Sequence, residues 1–277
     1  MSPQGVKHLL DRLRCNTPLT AGSWWFTIVV EGDVAAMKAY HGTTATVARA
    51  SLTEGLRPRE ETESEGQWEE CPSMASMVYL TTTYPGYFAM NAAAPGLKDG
   101  ELPAIVEVDL EELWDLDLYP DEDFLEQCSR GVEGVVPPGF TTMKERTAWY
   151  RDNIDRFQHL WKKSMEYLGN VAHCGTVPPE AITRICVFDP AKAPWLGMWW
   201  MDPSITPLNF MIMRHKYENL TRWMFGEELP AESMLGEQWM FMEMMGNTEQ
   251  MEAARKQYAD HESCTVTEQS LDTKAAV

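Results

Sequence analysis

Apolar and polar positions along the chain follow the period of β-strands in some segments and that of α-helices in others. Short apolar or alternating runs predict strands at 24–30, 37–40, 78–82, 104–109, 170–174 and 182–188. Between residues 141 and 168, apolar side chains recur every three or four positions, which predicts the clearest helix, with Gly169 as its C-cap. Further helices are predicted at 5–14, 205–225 and 231–246. This order of elements indicates an α+β protein.

A strand, a His-Gly pair and a helix are expected to follow one another directly between residues 37 and 55. The strand is expected to stop at His41 and Gly42, after which Thr43 or Thr44 offers a hydroxyl to the first turn of a helix. Gly55 is placed to end that helix. Because Gly42 lacks a side chain, its backbone could approach a ligand closely. A lone His after a strand is more often structural than functional, so this stretch alone does not define a site.

Three separated segments together resemble a known family. They are the run Tyr-His-Gly-Thr at 40–43 with its Gly-Leu-x-Pro at 55–58, the run Val-Tyr-Leu-Thr at 78–81, and Val-Pro-Pro-Glu-x-Ile at 177–182. In this order they resemble the NAD-consuming ADP-ribosyltransferase superfamily, on the branch of RNA 2′-phosphotransferases and nucleic-acid-modifying ADP-ribosyltransferase toxins. The resemblance covers residues 36–190.

The resemblance implies a fold and a set of residues that contact NAD, which would be the substrate. It implies a split, mixed β-sheet of ADP-ribosyltransferase type. His41 would bond a ribose hydroxyl, and the backbone of Gly42, with Thr43 beside it, would bind the nicotinamide carboxamide. Tyr79 would stack on the nicotinamide ring, and Tyr87 is a second candidate. Strand aromatics also pack in cores, so each Tyr has a plain structural alternative.

Arginines near the first motif are candidates for the NAD pyrophosphate. Arg57 is the first choice because it follows the Gly55 turn, and Arg49 and Arg59 are alternatives. A solvated position at a helix end is an equally good interpretation of each of them.

The third motif departs from the family pattern, because many members carry a catalytic Glu on the late strand. Here Asn170 stands nearest that position, and His173 would share its face only if the register is shifted by one residue. Glu166 lies one helical turn upstream. Since a carboxylate would stabilise the oxocarbenium-like transition state, the chain would use another group, transfer slowly, or bind NAD without transferring.

Acidic side chains are dense between residues 107 and 127, where Asp121, Glu122 and Asp123 are consecutive. The spacing of a Ca²⁺ loop is absent, so no metal site is predicted. The segment is interpreted as a surface loop and helix start, with Asp121 as the N-cap.

The composition limits the class of protein. A formal charge of −19 opposes general binding to nucleic acids, although a local basic groove remains open. The six cysteines form no C-x-x-C pair, which favours reduced thiols and a cytoplasmic protein. No apolar run approaches about 18 residues, so no membrane span is expected.

Three regions are predicted: an ADP-ribosyltransferase-like domain at 1–194, a Met/Trp-rich helical extension at 195–260, and a disordered tail at 261–277. The extension either folds back onto the domain or binds a protein partner. The leading function is transfer of ADP-ribose from NAD to a macromolecule, with protein and nucleic acid both open as acceptors. The alternatives are RNA 2′-phosphate removal and a non-catalytic interaction module on the same fold.

Overall fold

The computed structural model describes residues 37–62, 73–128, 139–192, 207–259 and 265–269. The helix predicted at 5–14 and the strand predicted at 24–30 lie outside these ranges. So does most of the loop predicted at 59–73, whose first four residues form a short helix. Within the described residues, no helix is long and apolar enough to cross a membrane.

The described chain is a mixed α/β structure with one seven-stranded sheet. Its strands are β1 (Lys38–Thr44), β2 (Met77–Thr81), β3 (Pro103–Asp109), β4 (Leu118–Pro120), β5 (Asn170–Cys174), β6 (Ile182–Phe188) and β7 (Thr265–Gln269). Their order is β4-β5-β2-β1-β3-β6-β7, and all pairings among the described strands are antiparallel. The mixed sheet that the family resemblance implies is therefore wrong for the described strands, because a few short matching segments do not specify the direction of neighbouring strands.

Helices occupy most of the remaining described residues. They are α1 (Ala45–Glu54), α2 (Arg59–Thr62), α3 (Pro85–Ala93), α4 (Met143–Asp152), α5 (Trp161–Leu168), α6 (Pro207–Met224), α7 (Ala231–Leu235), α8 (Glu237–Met244) and α9 (Thr248–Tyr258). A π-helical segment spans Phe124–Cys128, and a 3₁₀ segment spans Ile154–Leu160. The helix predicted at 141–168 is thus three pieces, interrupted at Asn153, while Gly169 ends the last piece with φ 73° as predicted.

The sheet nearly divides between β1 and β2. These strands share the single residue pair Tyr40 and Thr81, whereas β1 and β3 are paired from Lys38 to Thr44. One half is therefore β4-β5-β2 and the other is β1-β3-β6-β7. We call the contact between them the junction. Strand β5 pairs with β2 and β4.

The first motif folds partly as predicted. The Thr44 side chain accepts a hydrogen bond from the Val47 amide and caps α1, and Gly55 follows the last residue of that helix with φ 79°. Strand β1 does not stop at His41, however, but continues to Thr44 because each of its residues is paired with β3. Gly42 is a strand residue and forms no turn.

The helices after residue 207 pack onto the sheet, as expected if the extension folds back. One buried cluster contains side chains of β1, β3 and β6 together with side chains of α6, α7, α8 and α9. It includes Tyr40, Ile105, Phe188, Tyr217, Trp223, Met224, Met234 and Trp239. The predicted disordered tail differs from the structure at Thr265–Gln269, which form β7 on the outer side of β6.

Candidate functional site

His41 lies at the junction, where the two halves of the sheet begin to separate. Its Nδ1 is 2.9 Å from the carbonyl oxygen of Tyr79. A carbonyl oxygen can only accept, so Nδ1 carries the proton and, in the neutral ring, Nε2 keeps its lone pair as an acceptor. Burial lowers the pKa of His41, which favours that neutral form. The residue is therefore a fixed imidazole whose Nε2 is an acceptor nitrogen.

Gly42 is approached closely by helix α3. A Cβ atom at this position would overlap the Pro85 carbonyl oxygen and the Ala89 amide nitrogen. The missing side chain thus admits the backbone of a helix, which is a structural reason for glycine here. The neighbouring Thr43 is buried and is paired with Ala104 of β3.

Tyr79 is held at both ends. Its ring packs with the buried cluster of Met77, Phe124 and Tyr150. Its hydroxyl donates to Glu122 Oε1 at 2.7 Å and accepts from the Met74 amide at 2.9 Å. Burial, followed by the charges of Glu122 and Asp121, raises the pKa of Tyr79 well above its ordinary value. Its hydroxyl therefore remains protonated and serves as a donor.

Glu122 is the partner of Tyr79 that the sequence did not identify. Its side chain is buried, and Arg151 Nε on α4 reaches Oε1 at 3.1 Å. Glu126 is buried in the same way and accepts from Arg146 Nε at 2.7 Å. The expectation of a surface loop is wrong for these two carboxylates, because α4 supplies each with an arginine. The signal that could have found them is the pair of arginines spaced five residues apart on the predicted helix.

Asp121 and Asn170 meet at the end of the short strand β4. As predicted, Asp121 acts as a cap: its Oδ1 accepts from the Asp123 amide at 2.7 Å. Ser164 links the two residues, since its hydroxyl accepts from the Asp121 amide at 3.1 Å and donates to the Asn170 carbonyl at 2.7 Å. The side-chain oxygen of Asn170 is buried and has no hydrogen-bond partner among the described residues.

The Asp121 carboxyl holds its proton unusually tightly. Burial raises the pKa of Asp121 well above its ordinary value, and the charges of Asp123 and Glu122 raise it further. The Asn170 side chain is hydrogen-bonded to this carboxyl and partly opposes the shift. A carboxyl is thus present beside Asn170 in space, although the local sequence has none there.

The predicted site residues divide between the two faces of the sheet. Paired residues share a face and successive residues alternate, so Tyr79, Thr81 and Asn170 lie on one face. His173 is paired with Val78 and His41 neighbours Tyr40, which places both on the opposite face. His173 is buried, and its Nδ1 lies 3.2 Å from the Gly175 carbonyl oxygen. Strand β5 has no shifted register, so His173 does not share the face of Asn170.

The contacts of the remaining candidates are with residues other than Tyr79. Arg57 is exposed and pairs with Glu54 at 3.2 Å. The Tyr87 ring packs edge-on against Phe88 at 5.5 Å and belongs to the cluster covered by the C-terminal helices. Glu166 is exposed on α5 and does not reach inward.

The alternative arginines also have partners. Arg49 forms an ion pair with Glu268 of β7 at 2.9 Å. Arg59 donates to the Ser73 carbonyl oxygen. Ser73 directly precedes Met74, whose amide donates to the Tyr79 hydroxyl, so Arg59 lies on the Tyr79 side of the sheet's division, whereas Arg49 is held at β7.

Comparisons with known proteins give no relative: no family model matches the chain, and no curated protein matches it either. Among the described residues, no group of three or more His, Cys, Asp or Glu side chains is arranged to hold a metal ion.

Proposed function

We propose that this protein binds NAD at the junction and transfers ADP-ribose to a macromolecule. The observation that carries the proposal is the His41–Tyr79 hydrogen bond, because it fixes the imidazole and leaves Nε2 as an acceptor. An acceptor nitrogen suits a ribose hydroxyl. The near-division of the sheet at the same point supports the split architecture that the sequence resemblance implies.

The reaction would break the bond between the ribose C1′ and the nicotinamide nitrogen. Nicotinamide leaves with the bonding electrons, a nucleophile of the acceptor forms the new bond to C1′, and the acceptor loses a proton. The transition state carries positive charge on the sugar, so a nearby anion lowers its energy. Asp121 and Glu122 contact Asn170 and Tyr79 on the face of the sheet opposite His41, so a role for either carboxylate requires the ribose to lie between the two halves of the sheet.

The acceptor we favour is a basic protein. The charge of −19 repels nucleic acid. In addition, seven arginines of the described residues are each ion-paired with a carboxylate, which reduces their attraction for the extended phosphate backbone of a nucleic acid. They are Arg49, Arg57, Arg146, Arg151, Arg184, Arg214 and Arg222. The charge of −19, which repels an RNA substrate, is what argues against RNA 2′-phosphate removal.

The test is incubation of the pure protein with NAD labelled in its adenylate, in the presence of protein, DNA or RNA pools. We expect nicotinamide release and label in basic proteins. His41→Ala should abolish both, while His159→Ala, at an exposed position, should leave them unchanged. Unchanged labelling by the His41 variant would remove this residue from the site.

A second candidate is a module that binds NAD, or a partner, without transfer. The observation that favours it is Asn170, an amide where a carboxylate would be needed. NAD binding measured by calorimetry without nicotinamide release would support this candidate over transfer. Absence of both would leave the proposal without support.

A further inference from the structure

Helix α8 presents an apolar stripe to solvent. Met240, Phe241, Met244 and Met245 are 58%, 59%, 74% and 65% exposed. Phe241, Met244 and Met245 follow Met240 by one, four and five residues, so the four side chains lie on one side of the helix. The opposite side is anchored, because Trp239 is buried and Met242 packs on the cluster shared with the sheet. The helix that carries the exposed stripe is therefore packed against the rest of the protein by its other side.

An open groove adjoins the stripe. It has a volume of about 700 Å³, and its apolar lining includes Leu235, Phe241, Met242, Ala253 and Ala254. Ala253 and Ala254 of α9 have short side chains, which leaves room in the groove for the side chains of another helix. Phe241 belongs to both the stripe and the groove. Together they form one apolar surface, which we call the α8 face.

The surroundings of the α8 face are acidic. Residues 231–258 contain five glutamates and only two basic residues, Arg255 and Lys256. Arg255 makes a cation–π contact, because its guanidinium lies over the Trp239 ring at 4.9 Å from the centroid. The chain as a whole carries a charge of −19. A second copy would bring like charges together, whereas a basic partner would be attracted.

We propose that the α8 face is a docking site for an amphipathic helix with a basic polar face, supplied by another protein. Grooves rich in Met and Phe accept the apolar side of such helices, because flexible Met side chains adapt to different anchors. The excess of glutamates in residues 231–258 then attracts the basic residues of the bound helix. This inference uses no residue of the proposed NAD site and stands without it.

The test is fluorescence anisotropy with the full chain and a labelled synthetic helix of about 18 residues, or five turns. The probe has Leu and Phe at i, i+3, i+4 and i+7 and Lys elsewhere, and the matched peptide has Glu in place of each Lys. We expect the Lys peptide to bind at least about tenfold more tightly than the Glu peptide. Raising NaCl should weaken its binding, because the attraction is screened.

The matched variants locate the binding. Phe241→Asp with Met244→Asp should weaken binding of the Lys peptide at least about tenfold. Trp114→Asp with Leu116→Asp alters side chains that are 75% and 71% exposed outside the α8 face and should leave binding unchanged. Circular dichroism checks that both variants remain folded.

Four results would overturn the proposal. Equal binding of the Lys and Glu peptides would show that charge does not select the partner, and wild-type binding by the α8 variant would place the peptide elsewhere. A dimer in sedimentation velocity that the α8 variant abolishes would identify a second copy as the occupant. If a peptide of residues 193–206 displaces the Lys peptide, the occupant of the α8 face is a segment of this chain.

Discussion

At the scale of single residues, the His41 side chain replaces a strand-to-strand hydrogen bond. Strands β1 and β2 are paired only at Tyr40 and Thr81, and the imidazole satisfies the Tyr79 carbonyl beyond that point. A buried carbonyl without a partner would cost about 1–3 kcal/mol. The same side chain therefore stabilises the junction and presents an acceptor nitrogen there.

Two histidines of the sheet, the half-buried His41 and the buried His173, predict how stability depends on pH. Burial lowers the pKa of His41 and of His173 below the ordinary value of 6.5. Below pH 6.5 the unfolded chain binds protons that the folded protein binds less readily, so the free energy of unfolding should fall as the pH drops through that range. Urea denaturation between pH 7.5 and 5 measures this decline.

The variant His41→Gln keeps a donor for the Tyr79 carbonyl but cannot titrate. Its free energy of unfolding should therefore decline less steeply with falling pH than that of the wild type. His159→Gln, at an exposed position, is the matched control. If the free energy of unfolding declines with pH equally in the wild type and in His41→Gln, the imidazole of His41 is not held neutral by the fold.

Asp121 should show opposite effects on stability and activity. Because the pKa of its carboxyl is raised well above 3.8, ionisation is easier in the unfolded chain, and stability is lost as the pH rises from 3.8 towards the folded value. Asp121→Asn keeps the cap on the Asp123 amide and removes the charge. It should raise the free energy of unfolding at pH 7 by about 1 kcal/mol.

If Asp121 also stabilises the sugar cation, the same variant should lower nicotinamide release by about 10²-fold. Asp99→Asn, at an exposed position, is the control and should change neither quantity. If the Asp121→Asn variant is more stable and fully active, Asp121 takes no part in the proposed reaction.

At the scale of elements, the contact of β1 with α3 depends on Gly42. Alanine there would force apart the strand and the helix, because its Cβ overlaps the backbone of Pro85 and Ala89. Gly42→Ala should lower the free energy of unfolding by about 2–3 kcal/mol, a typical cost of overpacking.

The control for that substitution is Gly175→Ala. Nothing lies within 4 Å of a Cβ at Gly175, and only its φ of 78° opposes a side chain. The expected loss is about 1 kcal/mol. Equal losses for the two variants in chemical denaturation would contradict a steric role for Gly42.

At the scale of the whole molecule, the sheet and the C-terminal helices share one buried cluster. Tyr40 packs against Phe225 with ring centroids 5.4 Å apart, and the Trp223 indole donates to the Tyr258 carbonyl oxygen at 2.9 Å. Arg184 of β6 joins buried Glu107 to the Phe225 carbonyl. Removing the helices would expose this face of the sheet to water.

A chain cut after residue 194, the boundary that the sequence predicted, should therefore not fold stably by itself. We expect loss of cooperative unfolding and association through the exposed cluster, measured by thermal denaturation and size-exclusion chromatography. The full chain is the reference. A monomeric, cooperatively unfolding fragment of residues 1–194 would show that the predicted domain is independent.

Local features of the fold were predictable from the sequence because they depend on neighbouring residues. The Thr44 cap, the ends at Gly55 and Gly169, and strands β2, β3, β5 and β6 follow from capping groups and alternation. The break at Asn153 was missed because apolar periodicity continues through it. Strand β7 was missed because polar residues pair on an edge as readily as apolar ones.

The sequence by itself determined where strands β2, β3, β5 and β6 and the capped helix ends form, since capping and periodicity act over a few residues, and it singled out His41, Tyr79 and Asn170. Only the tertiary structure decided the strand order, the single residue pair at the junction and the partners of those three side chains. Glu122 reaches Tyr79 across 43 residues of chain, and Asp121 reaches Asn170 through the pairing of β4 with β5. Contacts of that length depend on how the strands are ordered, and the spacing of residues along the chain does not encode that order.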